Sequence, residues 1–598
     1  MLLLSHLIRL LRLGVTNRWF ALLMLPCGAH AGETLPNGIV LPNVWPPRIG
    51  GDSGKPPLET FSKPGDPPEP PYLKTKPAVI DIDLGRQLFV DDFLIAETTL
   101  QRVWHQPVKC ETNPVLKPEK PWELGVTHTP MAAPFSDGCF YNPMTKRFML
   151  WYSSGWYDST ALAVSRDGLQ WERPELDVFP GTNKVMLRGH DDWRRDTVSV
   201  WLDHEAAKPD ERFKATMFCR TGALGTKLDN YNPGLLLLAS PDGIHWILRG
   251  QTKHSKDNTT MFYNPYRKVW IFSHRIHIKH DDGRYERARA YWETKDFFSA
   301  AGEAMKERPP VYWMSEVPEG LPTDSGKPQI GNAGGNPAAS PAIELGNSTL
   351  AQIYKIDATP YESLMLGLFE ILSGPTNDEC AAEGKPKRTD LQVAFSRDGF
   401  HWSRHRETFI GGTGKPGSWE RGYISSCGGG CLIVGDELLF PYGAFAGDPT
   451  NIAKYFVWGG LYANGATGIA KLRRDGFVSM RGPGVLTTEP VRFSGKHLFV
   501  NAKGSLRTEV LDADRRPVEG FTLADCIPFT GDSTRARVNW KGNLASQSGK
   551  PVRLRFHLDE GDLYSFWISA DERGSSGGYG AGGGPDFPEG RDSSAAHR

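Results

Sequence analysis

One short phrase recurs along this chain and constrains its fold more than any other feature. It reads SRDGLQW at 165–171, SPDGIHW at 240–246, SRDGFHW at 396–402 and, in a degenerate form, RRDGFVS at 473–479. The aspartates are separated by 75, 156 and 77 residues, and KDFFSA at 295–300 stands where another copy would divide the long interval. Runs rich in β-branched and aromatic residues flank the copies. Asp-Gly between such runs predicts a tight turn that joins paired strands.

A fixed period of several strands per repeat is typical of a β-propeller, whose blades bury their faces against their neighbours around a central axis. We expect the phrase to form the last hairpin of each blade and its final indole to fill space between blades. The sequence therefore predicts an all-β protein with a five-bladed propeller over residues 79–482. The predicted blades cover about 125–180, 190–250, 255–300, 335–410 and 420–480.

The chain on either side of the predicted propeller has a different character. Residues 483–569 alternate apolar and polar positions without another copy of the phrase, which predicts a C-terminal β-sandwich. Residues 32–78 are dense in proline and glycine and predict an extended linker. Residues 570–598 are of low complexity and predict a disordered tail.

Residues 1–31 predict a signal peptide for export. Arg9, Arg12 and Arg18 precede the apolar run 19–25, and Ala-His-Ala at 29–31 supplies a small-x-small cleavage site. The apolar runs here fall short of the ~20 residues that a membrane span needs. We therefore expect a secreted protein, periplasmic or extracellular, without a membrane span.

The charge balance argues against a nucleic-acid partner. The chain has 69 basic and 69 acidic residues, and the predicted signal peptide removes three arginines and no acid. Seven cysteines follow that segment, an odd and widely dispersed set that argues against a disulfide framework and leaves one or two bridges open. No feature of the sequence predicts an oligomeric state.

Three aspartates occupy corresponding places ahead of the second strands of the first three predicted blades. Asp137 precedes Trp151 by 14 residues and Asp257 precedes Trp270 by 13, and FYNP follows both aspartates. Asp196 occupies the same place in the second blade. Because the innermost strands of a propeller start beside its axis, we expect the three carboxylates to converge. Mutual repulsion raises at least one pKa in such a group, and glycoside hydrolysis uses one protonated acid and one ionised carboxylate.

These placements resemble the first two blade motifs of glycoside hydrolase family 32 and of its five-bladed relatives in family 43. The resemblance covers about 80–480, and QLFVDDFLI, PKRTDLQVAFSRDGFHW and GKHLFVNAKG are similar to segments of exported bacterial family-32-like proteins. It implies that Asp137 is the nucleophile or base and that Asp196 stabilises the transition state. The family places a glutamate acid in the third blade, where this chain has Asp257.

Several other residues are candidates for the site. Glu362, which opens a long apolar strand, competes with Asp257 for the role of acid. Each candidate also has a structural explanation. The aspartates can cap turns, a glutamate can stand at a solvated strand entry, and the tryptophans can fill space between blades. The candidates for substrate binding are Arg195, Arg275, Trp156, Trp419 and Glu420.

No metal or cofactor site is predicted. His274, His277 and His280 follow one another at a spacing that does not place all three on one face of a strand. An axial Ca²⁺ is left open.

The sequence thus predicts a glycoside hydrolase that cleaves a carbohydrate with carboxylates near the propeller axis. Two alternatives stay open. A non-catalytic carbohydrate-binding propeller protein is favoured by the missing third-blade glutamate. A glycoside phosphorylase would need a basic phosphate site beside the acids, which Arg195 and Arg275 leave open.

Overall fold

The computed structural model describes residues 32–47, 69–186, 193–221, 230–252, 255–279, 285–302, 304–316, 351–375, 377–448 and 459–593. The predicted signal peptide lies outside these residues. The prediction of an all-β protein is confirmed, since strands dominate the described chain and its helices are short. The α-helices are Pro71–Lys74, Ala304–Glu307, Asn377–Glu383 and Gly459–Tyr462, and the 3-10 helices are Pro121–Leu124, Pro209–Glu211, Phe297–Ala300 and Leu544–Gln547.

The first strands pair with partners far along the chain. They are β1 (Ile80–Asp81), β2 (Gln87–Leu88), β3 (Ile95–Thr98), β4 (Gln101–Trp104) and β5 (Val108–Lys109). Their partners all follow residue 464. The N-terminal segment therefore pairs with the C-terminal part of the chain.

Two four-stranded antiparallel units come next and share one eight-stranded sheet. The first comprises β6 (Ala132–Asn142), β7 (Arg147–Ser154), β8 (Ser159–Ser165) and β9 (Trp171–Glu172). The second comprises β10 (Trp193–Leu202), β11 (Phe213–Thr221), β12 (Asn230–Ser240) and β13 (Ile247–Gln251). Their first strands, β6 and β10, are parallel neighbours, with Ser136 beside Val198 and Asp137 beside Ser199.

Two further units repeat this pattern. One comprises β14 (Thr260–Asn264), β15 (Val269–Lys279), β16 (Tyr285–Thr294) and β17 (Val311–Met314). The other comprises β18 (Gln352–Glu362), β19 (Leu364–Gly374), β20 (Arg388–Ser396) and β21 (Ser403–Arg404). The inner strands are buried along both faces, which explains their continuous apolar runs.

The next unit takes its last strand from the N-terminal segment. It comprises β22 (Tyr423–Ser426), β23 (Leu432–Val434), β24 (Glu437–Phe445) and β25 (Gly465–Arg473). The strand that pairs with the outer side of β25 is β5, in the register Ala470 to Lys109. Ser136 of β6 bridges in parallel to Cys427, just after β22, so the first and last units are neighbours.

The repeated phrase forms the turn that the sequence predicts. In the copy at 240–246, Asp242 Oδ1 accepts the backbone N–H groups of Ile244 and His245 at 2.8 and 2.9 Å. The aspartates of the copies at 165–171 and 396–402 accept the equivalent pairs. Each of these turns follows the third strand of a unit and leads to the fourth. KDFFSA likewise connects β16 to β17, where Asp296 caps a 3-10 helix.

The C-terminal part forms a separate nine-stranded sheet, to which β2, β3 and β4 also belong. Its other strands are β26 (Val478–Arg481), β27 (Gly484–Thr488), β29 (His497–Leu511), β30 (Cys526–Ile527), β31 (Phe529–Trp540) and β32 (Arg553–Ser569), and β29 and β32 pair over most of their length. Two further strands lie in other sheets: β28 (Val491–Arg492) pairs with β1, and β33 (Tyr579–Gly580) pairs with β18.

Two predictions about the flanking segments need correction. Residues 570–593 are not a disordered tail, because β33 pairs with β18 and Asp592 is fully buried. The glycines that suggest disorder here allow close packing instead: a Cβ on Gly578 would lie 2.1 Å from Glu362 Oε2. The described parts of the predicted linker also add Leu35 and Tyr72 to the core of the C-terminal sheet.

Seven cysteines in the described chain are free thiols, namely Cys110, Cys139, Cys219, Cys380, Cys427, Cys431 and Cys526. The disulfide bridges that the sequence leaves open do not form among these residues. No helix within the described ranges is long and apolar enough to cross a membrane.

Candidate active site

Asp137 lies at an irregular point of β6. The pairing of β6 with β7 shifts register between Ala133 and Gly138, and Ser136 and Asp137 adopt left-handed φ angles of 66° and 40°. Such conformations cost about 1–3 kcal/mol for residues other than glycine and cluster at functional sites. The Asp137 carboxylate folds back on its own strand, where the Phe135 backbone N–H donates to Oδ2 at 2.7 Å.

A bidentate ion pair joins Asp137 to Arg195 at the start of β10. Two guanidinium nitrogens donate to the two carboxylate oxygens at 3.0 and 3.2 Å, and both side chains are fully buried. Burial raises the pKa of Asp137, and the charge of Arg195 opposes that shift. Asp137 is therefore part of the site, but its carboxylate is held by Arg195 and shielded from solvent.

Asp196 and Asp257 share a single arginine. Arg220 donates from Nε to Asp196 Oδ2 at 2.6 Å and from Nη2 to Asp257 Oδ2 at 3.0 Å. Because the guanidinium is a rigid planar fork, the two acceptor oxygens lie no more than about 8 Å apart. Arg275, a predicted binding residue, forms an ion pair with Asp257 at 2.6 Å. The structure thus brings the predicted aspartates together, and we call Asp137, Asp196 and Asp257 the acid cluster.

The pKa values of Asp196 and Asp257 shift in opposite directions. Burial raises the pKa of Asp196, with Arg220 opposing that shift and the Asp257 charge adding to it. Burial also favours a higher pKa for Asp257, but the charges of Arg275, Arg220 and other cations outweigh the effect of burial and lower the pKa of Asp257 to about 2. Neighbouring carboxyls with pKa values pushed apart are typical of an acid and base pair.

A buried ionic group lies next to the acid cluster. Lys355 Nζ donates to the hydroxyls of Ser136 and Ser425, both at 2.9 Å, and lies 3.5 Å from Glu370. Asp357 accepts a hydrogen bond from the same Ser136 hydroxyl at 2.9 Å. Burial raises the pKa of Glu370 to about 7 although Lys355 opposes it. This group holds Ser136, and with it the bend that carries Asp137.

Aromatic rings form one side of the site. The Trp156 ring stacks on Tyr462 with centroids 4.0 Å apart and an interplanar angle of 7°, and meets Phe135 edge to face. Arg220 lies over the ring of Tyr157, 5.4 Å from its centroid. Trp156 is thus near the acid cluster, as predicted, but it packs against Tyr462 and is buried.

Glu362 does not join the acid cluster. It lies at the far end of β18, fully buried, where Arg474 donates to Oε1 at 2.6 Å. The Arg86 backbone N–H and the Ser576 hydroxyl donate to Oε2 at 3.1 and 2.7 Å. Glu362 therefore connects β18 to the N- and C-terminal segments. Because it lies outside the acid cluster, its position contradicts the hypothesis that it is the general acid.

Trp419 and Glu420 also lie elsewhere. Glu420 accepts hydrogen bonds from Lys109 of β5 at 2.8 Å and from the Tyr442 hydroxyl at 2.9 Å. Trp419 packs on the Tyr442 ring with centroids 5.9 Å apart. These contacts join β5 to β24 within the last unit. That Trp419 and Glu420 bind substrate therefore stays a prediction, which their positions do not support.

Two residues that the sequence did not single out matter most to this geometry, namely Arg220 and Lys355. Each is a charged residue within a largely apolar strand: Arg220 in MFCRT at the end of β11, and Lys355 beside Asp357 in IYKID of β18. That pattern is a usable signal, because a buried charge requires a partner.

The histidines at 274 and 277 lie on β15, and His280 lies outside the described residues. Burial lowers the pKa of His274 to about 3. Within the described ranges, no group of three histidine, cysteine or acidic side chains is arranged to hold a metal ion. The axial Ca²⁺ stays a prediction.

Comparison with known proteins gives only distant structural likenesses. No family model and no curated protein sequence matches this chain. An N-acetylgalactosamine deacetylase from F. plautii is 13% identical, with 65% of this chain and 96% of that one covered and a TM-score of 0.34. A fructofuranosidase from Schwanniomyces occidentalis is 12% identical, with 77% of this chain and 96% of that one covered and a TM-score of 0.33. An endo-arabinase from Bacteroides thetaiotaomicron is 12% identical, with 57% of this chain and 94% of that one covered and a TM-score of 0.30. At these TM-scores the likenesses carry no argument about activity.

Proposed function

We propose that this protein is a glycoside hydrolase with Asp196 as its general acid and Asp257 as its nucleophile or general base. One observation carries the proposal: two neighbouring carboxyls share Arg220, and their surroundings push their pKa values apart. Their separation, within about 8 Å, is compatible with a carboxyl pair that flanks a glycosidic bond.

The reaction divides between the two aspartates. Asp196, the carboxyl whose pKa burial raises, gives its proton to the leaving glycosidic oxygen as the C–O bond breaks. Asp257 stays ionised at neutral pH and either attacks the sugar carbon or takes a proton from the attacking water. Asp137 acts through Arg195 as a positioning residue, because its carboxylate is buried. This assignment differs from the roles that the family resemblance implies, in which Asp137 is the nucleophile or base, Asp196 stabilises the transition state and the third blade supplies the acid.

The fold that we propose for this activity is a five-bladed propeller followed by a β-sandwich. Its support is the succession of four-stranded units, the parallel contact between first strands, and the placement of the acids on or just before these strands. We also propose that the protein is exported, on the basis of residues 1–31.

A carbohydrate-binding protein without catalysis is the second candidate. The observation that favours it is the extent of pairing in the acid cluster, where Arg195 and Arg220 together engage three carboxylates. A binding protein needs no carboxyl that changes its protonation state.

The test is hydrolysis of a panel of chromogenic furanosides and pyranosides by the full chain. We expect Asp196→Asn and Asp257→Asn each to lower kcat by about 10²–10⁴-fold, because each removes proton transfer or nucleophilic catalysis. Asp203→Asn is the matched control, since Asp203 is also a buried, ion-paired aspartate but pairs with Lys214 outside the cluster. If the wild type is inert while sugars still bind, the binding protein is the correct description.

A further inference from the structure

A small pocket near the acid cluster is lined by basic side chains. Three of its ten lining residues are cations and none is a carboxylate. The cations are Lys385, Lys387 and Arg421, and the rest of the lining is Pro386, Tyr423, Phe445, Ala446, Gly447, Gly460 and Leu461. We call this the basic pocket.

Lys387 is the buried cation of the basic pocket. It is 5% exposed, and its Nζ donates to the Tyr462 hydroxyl at 2.8 Å. The ammonium also lies over the rings of Tyr354, Tyr423 and Tyr462, at 5.2, 5.6 and 5.2 Å from their centroids. No carboxylate in the described part of the chain forms an ion pair with it. An ammonium has three N–H donors, so Lys387 can still donate to a ligand.

Arg421 adds a second cation on the same pocket. Its Nη2 donates to the Gly384 carbonyl at 3.0 Å, while its buried Nε has no hydrogen-bond partner within the described residues. The third cation, Lys385, forms an exposed ion pair with Glu383, and the charge of Glu379 also stabilises its protonated form. The two cations that a ligand would meet inside the pocket are therefore Lys387 and Arg421.

Packed side chains link the basic pocket to the acid cluster. Tyr423, which lines the pocket, stacks on Phe135 at 6.1 Å, and the Phe135 backbone holds the Asp137 carboxylate. Arg287 lies over the same Tyr354 ring as Lys387, 4.8 Å from its centroid, and its charge acts on Asp257. Contacts through Phe135 and through the Tyr354 ring therefore connect the cations of the basic pocket to the surroundings of the acid cluster.

We propose that the basic pocket binds an anionic oxygen group, with Lys387 and Arg421 as its ligands. Carboxylate, sulfate and phosphate all accept the charge-assisted hydrogen bonds that these side chains offer. The source that fits a glycosidase is an acidic sugar, so the substrate class is a uronic-acid-bearing or sulfated polysaccharide. This substrate class rests on the proposed function, whereas the binding of an anion does not.

The test is isothermal titration calorimetry on the full chain. The probes are oligogalacturonides, sulfated galactan oligosaccharides, neutral galacto-oligosaccharides of matched length, and inorganic phosphate. We expect the acidic oligosaccharides to bind wild type better than the neutral ones. Lys387→Met and Arg421→Gln should each weaken acidic-sugar binding by about tenfold or more, because each removes a hydrogen bond to a charged group.

Three controls keep the result interpretable. Lys387→Arg should retain most of the affinity because it keeps the charge. Lys214→Met removes an equally buried lysine that pairs with Asp203, and it should leave anion binding unchanged. Thermal melts identify any variant that fails to fold, in which case the partly exposed Arg421 supplies the test.

Each outcome decides the proposal. Binding of phosphate alone, lost in Lys387→Met, supports the anion site and identifies inorganic phosphate as its ligand. Failure of every anionic probe to bind wild type, or equal binding by Lys387→Met, overturns it. If wild type and Lys387→Met hydrolyse neutral glycosides equally well, the proposal of an acidic substrate is overturned while the glycosidase proposal stands. Lys387-dependent binding without any hydrolysis leaves the anion site standing and overturns the glycosidase.

Discussion

Asp196 and Asp257 show how surroundings give two identical side chains different chemistry. Both are buried and both accept a hydrogen bond from Arg220. Asp257 also faces Arg275, and this additional positive charge keeps it ionised. The family resemblance implies an acid in the third blade, yet a pKa of about 2 leaves Asp257 no proton to donate at neutral pH. The neighbouring cations, which the motif does not include, therefore set the opposite pKa shifts on which the proposed roles rest.

The buried Glu370 predicts a pH dependence of stability. Its pKa is about 7 in the folded protein, above the ordinary value of 4.5, so the folded state binds the proton more tightly than the unfolded chain. This contribution is fully present below about pH 4.5 and is lost as the pH rises through 7, up to about 3 kcal/mol in all.

Glu370→Gln should remove that dependence. Urea denaturation between pH 4.5 and 8 should give a wild-type free energy of unfolding that falls with pH relative to the variant. Glu437→Gln, at an exposed ion pair with Lys471, should follow the wild type. Parallel curves for wild type and Glu370→Gln would show that Glu370 is ionised throughout.

Among the structural elements, the repeated turn is the one that local sequence specifies best. Its aspartate accepts two backbone N–H groups, and its glycine adopts a positive φ, 79° at Gly243. A Cβ at Gly243 would lie 2.5 Å from the Trp151 ring, so the turn also needs glycine for packing. The hydrogen bonds and the φ angle involve only residues within the phrase, which is why the turn could be predicted from the sequence, whereas the Trp151 contact comes from another repeated unit.

We expect Asp398→Ala to lower the free energy of unfolding by about 1–3 kcal/mol, because it leaves two backbone donors of a buried turn without their acceptor. Asp398→Asn keeps an acceptor oxygen and should cost less. Chemical denaturation of the two variants measures the difference. Equal losses would mean that the carboxylate pairing with His401 matters more than the turn.

The degenerate copy at 473–479 departs from the phrase because its aspartate has other partners. Asp475 accepts hydrogen bonds from the Tyr361 hydroxyl at 2.6 Å and from Arg86 at 2.9 Å. Both partners are distant in sequence. The same holds in the site: the starts of the strands could be predicted to carry acids, but the contact of Lys355 with Ser136 spans 219 residues and has no local signal.

At the scale of the whole molecule, both ends of the described chain meet at Glu362. Arg86 comes from the N-terminal segment, Ser576 from the tail, and Arg474 from the last repeated unit. A composition rich in glycine predicts disorder, and that prediction fails here because glycine allows the tail to approach this buried cluster. In the described parts of the predicted linker, residues 32–47 and 69–78, scattered apolar residues likewise have a core to join.

Truncation after Asp571 tests the role of the tail. The shortened chain loses β33 and the Ser576 hydroxyl that donates to Glu362, so we expect about 2–5 kcal/mol less stability. Thermal and urea unfolding would measure the loss. Glu589→Ala, an exposed change within the same tail, should stay within about 0.5 kcal/mol of the wild type. An unchanged transition in the truncated protein would mean that the tail contributes nothing to stability.

The position of β5 at the outer edge of β25 has a consequence for biosynthesis. A ribosome makes Val108–Lys109 long before it makes Gly465–Arg473, so the early strand has no partner while the chain between them is translated. During that interval the backbone N–H and C=O groups of β5 are open to pairing with other nascent chains. Chaperone protection during synthesis should therefore raise the yield of native protein more than a change in final buffer conditions.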